Sequence, residues 1–184
     1  YPLNIHAERA LRSYLEHMKR DPADEFERRR LHGIKSRFAK LINAKPSEIA
    51  FTPGTMAGEM ILMDGLGLED SGYNLVTNDL PYSASLYNYS QRKKHGLDLR
   101  VVKHSNWRTD LRQVERAVDD KTRLISVAMV SNMNGYVEDV KALSDLAHAH
   151  GGYLYADIIQ CAGSVPIDVR AMGIDFAACS MYKF

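Results

Sequence analysis

A chain of 184 residues that is 45% hydrophobic and 26% charged is long enough to bury a sizeable core as one globular domain. Its 24 Lys and Arg against 23 Asp and Glu leave no broad basic field, which argues against nucleic acid and an anionic membrane surface as partners. No apolar run approaches the roughly 20 residues that span a bilayer. The only cysteines, Cys161 and Cys179, form neither a metal-type spacing nor a disulfide framework, so a cytoplasmic protein is expected.

The first predicted element is an amphipathic helix. Leu11, Tyr14, Leu15 and Met18 fall on one face, and Asn4 is placed to cap it. Phe26, Leu31, Ile34, Phe38, Leu41 and Ile42 repeat that spacing in a second helix, with Asp21 and Pro22 as cap and first-turn pair and Arg28, Arg29 and Arg30 as a solvated face. Short apolar runs then alternate with helical stretches. Strands are predicted over 48–52, 73–77, 97–104, 122–130, 153–157 and 174–180, and helices over 56–66, 83–96, 109–118 and 137–151, the last closed by Gly151 and Gly152. The alternation implies an α/β fold with a mostly parallel sheet and helices on both faces. Residues 1–45 form an N-terminal helical segment and 46–184 the sheet domain.

Ligands of open parallel sheets bind beyond the carboxyl ends of the strands. The polar residues there are Thr52 to Thr55, Asp79 to Tyr82, Ser131 and Asn132, Asp157 to Gln160, and Ser180 to Lys183. In "TPGTMAGEM", Gly54 would let backbone amides approach an anion at a helix start, and a phosphate fits there. Neither GxxxxGK[ST] nor GxGxxG occurs, which disfavours a nucleotide-binding domain. Taken singly, the Gly-Thr start reads as a cap, and so does Asp157 ahead of "IIQCAG". A carboxylate at the end of the apolar "YLYA" nevertheless calls for a cation. Unit charges about 4 Å apart interact by roughly 4 kcal/mol at an effective dielectric near 20, and a protonated heterocyclic nitrogen would serve. Lys183, at a strand end in a desolvated site, is suited to form an imine with an aldehyde. An anion-binding helix start, a buried Asp and an imine-forming Lys are together what pyridoxal phosphate (PLP) asks of a protein.

From about Ile49 to Phe184 the chain also resembles the class V branch of fold type I PLP enzymes. That branch includes cysteine desulfurases, selenocysteine lyases, isopenicillin N epimerase-like proteins and some aminotransferases. The most specific parts are Asp-x-x-Gln at 157–160, the following "GSVPIDVRAMGIDF", and Ser-x-x-Lys at 180–183. The resemblance implies a PLP fold type I large domain in which Lys183 holds PLP and shuttles the substrate's α-proton. Asp157 would pair with the pyridine nitrogen, Gln160 and Asn132 would face the ring hydroxyl, and Gly54, Thr55, Met56 and Ser180 would hold the phosphate. Tyr82 is the choice for stacking on the ring, with Pro81 in competition.

Desulfurases usually carry His before the lysine, where this chain has Tyr182; its hydroxyl could reach the phosphate, and Tyr-Lys-aromatic is reminiscent of kynureninase. Relatives continue past the lysine into a small carboxy-terminal domain. The resemblance therefore implies a chain cut just after Lys183, without that domain, the substrate-carboxylate arginine or a desulfurase cysteine. Homodimers are typical of the branch. The expected activity is that of a PLP enzyme acting on an amino acid or amine, as an aminotransferase, epimerase or lyase, with cysteine desulfurase or selenocysteine lyase as the alternative. From another class, a non-catalytic doubly wound binding domain would use the same strand-end residues as caps. Cys161 and Cys179 read as core, His148 and His150 share no helix face, and Met56, Met60 and Met63 read as packing.

Overall fold

The computed structural model describes residues 4–20, 24–69 and 72–183, and of residues 24–29 the backbone only. Two helices lead in, α1 (Ile5–Arg20) and α2 (Asp24–Ile42). Asn4 caps α1 as expected, its Oδ1 accepting from the His6 amide at 2.7 Å. The expected Asp21–Pro22 start of α2, like the side chains of Phe26, Arg28 and Arg29, lies outside the described residues. No residue of α1 is buried, and Leu11, Leu15 and Met18 stay exposed. The end of α2, by contrast, joins the main core through Ala39 and Ile42, with Phe38 packed beside them.

The rest is a parallel sheet wrapped by helices. After α3 (Thr55–Leu66) come β1 (Asn74–Asn78), α4 (Ser83–Lys93), β2 (Asp98–Val102), α5 (Leu111–Ala117), β3 (Thr122–Ala128), α6 (Val140–Ala149), β4 (Tyr153–Asp157) and β5 (Phe176–Ala178). The strands lie in the order β2-β1-β3-β4-β5, every neighbouring pair parallel. β1, β3 and β4 are buried almost throughout, as strands covered on both faces must be, whereas the edge strands β2 and β5 are largely exposed. One apolar cluster packs Val76, Ile125, Val127 and Leu154 against α5 and α6 through Val114, Leu143 and Ala147. A second packs Leu75, Leu124 and Tyr155 against α3 and α4 through Met63 and Tyr89. Among the described residues, no helix is long and apolar enough to cross a membrane.

One predicted element is absent. Residues 48–52 are not a strand: Pro46–Glu48 is a 3-10 turn and Ile49 to Thr52 are irregular. Ile49 has extended dihedrals, φ −99° and ψ 123°, so the β-branched and aromatic residues do favour the local conformation. A strand also needs a ladder partner, and among the described residues none is paired with this segment. A cleft of about 720 Å³, lined by Ile49, Phe51, Phe176 and Ala178 among others, lies between it and the edge of β5. Glu48 instead accepts from the Lys45 amide at 2.8 Å and pairs with Arg170.

Candidate active site

The carboxyl ends of the parallel strands meet at one edge, where ligands bind in open α/β sheets. Ala128, Asp157 and Ala178 are register partners across β3, β4 and β5, and the Ile158 amide donates to the Ala178 carbonyl at 3.0 Å. Ser180 and Lys183 therefore emerge just past the rung that ends in Asp157. Asn132 emerges past Ala128, in a turn closed by the Gly135 amide on the Ser131 carbonyl at 2.9 Å.

The start of α3 faces this edge. Gly54 precedes it in extended backbone, φ 174°, and the first helical amides have no intrahelical acceptor. Ser180 Oγ accepts from the Thr55 amide at 3.2 Å and shares a hydrogen bond with Thr55 Oγ1 at 2.9 Å, joining residues 125 apart in sequence. Gly58 lies where α3 passes β5: a Cβ there would stand 3.5 Å from the Ala178 Cβ and 3.6 Å from Thr52 Oγ1, in ordinary van der Waals contact. Two hydroxyls and a helix amino terminus thus converge, which is the chemistry of an anion cradle. Met56, the second residue of α3, is half-buried beside them.

Asp157 is 9% exposed. Burial pushes its carboxyl above the usual range, opposed by a hydrogen bond from the Ile159 amide and by the charge of Lys183. Lys183 is half-buried, its ammonium 5.8 Å from the ring centroid of the exposed Tyr182. Gln160, half-buried, follows Asp157 in the same loop. Tyr82 is 52% exposed at the start of α4, while Pro81 is buried. Among the described residues no hydrogen bond joins Tyr82 or Asn132 to Asp157 or Lys183. The cysteines are poor nucleophiles, burial pushing Cys161 up to about 12 and Cys179 up to about 11. His148 and His150 each face a different carboxylate, Asp175 and Asp120.

Three polar networks under this edge were not anticipated. Asn78 donates to Thr109 Oγ1 at 2.6 Å and to Glu138 Oε1 at 2.9 Å, and its own Oδ1 accepts from the Leu80 amide, which fixes the loop leading to Tyr82. Asp79 accepts from the His104 amide at 2.8 Å and faces the His104 ring, which stacks on Trp107 at 4.7 Å. Glu59, on α3, accepts from the Tyr89 hydroxyl, which in turn meets Ser126 Oγ at 2.6 Å. The only sign of the last in the sequence is a carboxylate inside the apolar run "MAGEMILM".

The aminotransferase class-V family model matches residues 12–184. A probable cysteine desulfurase of Methanothermobacter thermautotrophicus is 35% identical over 156 residues, which is 84% of this chain and 39% of that protein. The cysteine desulfurase IscS of Vibrio cholerae is 30% identical over 152 residues, 81% of this chain and 38% of that protein. The chain thus spans about two fifths of the length of these curated relatives. Among solved structures, a NifS-like protein superposes with a TM-score of 0.80 at 20% identity over 89% of this chain and 49% of that one. SspA in complex with cysteine superposes with a TM-score of 0.76 at 24% identity over 97% of this chain and 48% of that one. Both share the α/β fold with its parallel sheet.

Proposed function

The chain belongs to the aminotransferase class-V family, and from that premise we propose that it is the cofactor-holding part of a PLP-dependent enzyme acting on an amino acid or amine. The observation that carries the reading is Asp157, buried at the end of β4 and in register with Ala178 at the end of β5, beyond which the chain runs to Ser180 and Lys183. The donor set fits PLP. Gly54, Thr55, Met56 and Ser180 would hold the phosphate, with the Tyr182 hydroxyl as a further donor; Asp157 would keep a proton on the ring nitrogen; Gln160 and Asn132 would serve the ring hydroxyl and Tyr82 the ring face. PLP held at Lys183 would supply an electron sink for the charge left on the substrate's α-carbon. Lys183 Nζ is the group placed to carry a proton to and from that carbon. Residues 1–45 are an N-terminal helical segment and 46–184 the PLP-binding domain, and the whole protein works as a cytoplasmic homodimer.

Reconstitution with PLP followed by borohydride reduction tests this. The reduced adduct is expected on the peptide that contains Lys183, and an adduct confined to other lysines, or none, would falsify the assignment. The names of the relatives favour a second, narrower reading in which the amino acid is cysteine and the reaction is desulfuration. With excess thiol present as the reductant that releases the sulfur as sulfide, it predicts equal amounts of sulfide and alanine from cysteine, whereas transfer of the amino group to a keto acid without sulfide release rejects it.

A further inference from the structure

Glu59 is a carboxyl buried on the polar side of the sheet. It lies one helical turn beyond Thr55, on the same face of α3, and is 1% exposed. Its Oε1 accepts from Tyr89, while Oε2 is buried with no hydrogen bond. A carboxylate in that state is strained by desolvation, so its protonated form is favoured.

The position connects it to the site. Ser126, which completes the network from β3, is the register partner of Tyr155, and Tyr155 and Asp157 point to the same face of β4. Burial lifts the Glu59 carboxyl to about 7; Tyr89, Ser85 and Arg92 pull it down and the charge of Asp157 adds to the rise. The groups facing it are Ser85, Tyr89 and Arg92 from α4, Ser126 from β3, and Tyr155 and Asp157 from β4. Arg92 is turned to Asp64 and Glu69, at 2.7 and 2.8 Å. Burial pushes the Tyr89 and Tyr155 phenols far above their usual range, so both stay neutral. The remaining carboxyl that faces it is Asp157, on the same face of β4 as Tyr155.

We infer that Glu59 is a positioning residue for the cofactor site: its carboxyl, held by Tyr89, which Ser126 holds in turn, takes up and releases a proton and so sets how firmly Asp157 keeps a proton on the ring nitrogen. The inference rests on the PLP reading above. When Glu59 is ionised, its negative charge raises the proton affinity of the Asp157–ring pair; when it is neutral, that support is withdrawn.

Two measurements on wild type, Glu59→Gln and Tyr89→Phe decide it. In the cofactor-free protein, infrared difference spectra should show a protonated carboxyl that disappears as pH rises through about 7 and is missing in Glu59→Gln. In the PLP-loaded protein, the midpoint of the pH dependence of the visible cofactor absorption should fall by about half a unit or more in Glu59→Gln. Tyr89→Phe keeps the carboxyl and removes its donor, so it should move the carboxyl's own midpoint upward; it also serves if Glu59→Gln does not fold. A merely structural Glu59 would lower thermal stability and leave the cofactor midpoint in place, and that result overturns the inference while leaving PLP binding intact. A PLP-loaded wild type without visible cofactor absorption overturns the cofactor reading and the inference with it, even where the carboxyl titrates.

Discussion

On the face of the sheet covered by α5 and α6, the strands contribute Val76, Ile125, Val127, Leu154 and Ala156, all buried and apolar. On the face covered by α3 and α4 they contribute Thr77, Ser126, Tyr155 and Asp157 among Leu75 and Leu124. Both faces are equally closed to water. They differ in what must be satisfied inside: the first needs only close packing, the second needs a partner for every hydroxyl and carboxyl. Thr77 Oγ1, for instance, donates to the Ser126 carbonyl at 2.7 Å. The polar face is also the one that leads to the strand-end edge with Asp157, Ser180 and Lys183. Stability is therefore concentrated on one side of the sheet and chemistry on the other.

The sharpest way to break that division is at its extremes. Lys183→Ala should reduce turnover of the PLP-loaded protein by about three orders of magnitude or more while moving the urea unfolding midpoint little, since the residue adds no core packing and only its charge beside Asp157 is lost. Leu154→Ala, at a fully buried position on the apolar face, should do the reverse: a loss of about 3 kcal/mol in urea unfolding, with cofactor binding per folded molecule preserved. If either variant moves both readouts, the two faces are not separable.

Glu59 blurs the division in a pH-dependent manner. Its folded pKa, about 7, lies above the ordinary 4.5, so the stability it contributes is fully present below pH 4.5 and is lost as pH rises through 7. The loss amounts to about 2 to 3 kcal/mol between pH 5 and pH 8, and Glu59→Gln should abolish it. Urea unfolding at the two pH values measures this, and an equal pH dependence in both proteins would contradict it. The smallest effect is expected at the cradle: Thr55→Ala should weaken PLP binding about tenfold in equilibrium dialysis, with stability nearly unchanged.

Much of this was legible in the sequence because it depends on neighbours along the chain. Apolar runs followed by polar residues located β1, β3 and β4 and marked Asp157 and Lys183 as strand-end groups. The prediction over 48–52 failed because composition reports that a segment fits a strand and not whether another strand lies beside it. Glu59 was invisible for a related reason. A glutamate in a helix normally faces water, and only the fold brings Tyr89, on the next helix, against it and Ser126, three elements further on, against Tyr89. The sequon-like Asn88-Tyr89-Ser90 thus conceals a buried phenol at its centre.

The hydrogen bonds between Thr55 and Ser180 have a kinetic meaning. They tie the start of α3 to the segment beyond β5, so both sides of the anion cradle are in place before an anion arrives. Ordering those hydroxyls is completed when the chain folds, and none of that entropy is left to be lost when an anion arrives. Capture then needs only collision and desolvation. Loss of the Ser180 hydroxyl would turn the same event into one that waits for the two sides to find each other, slowing association long before it altered the chemistry.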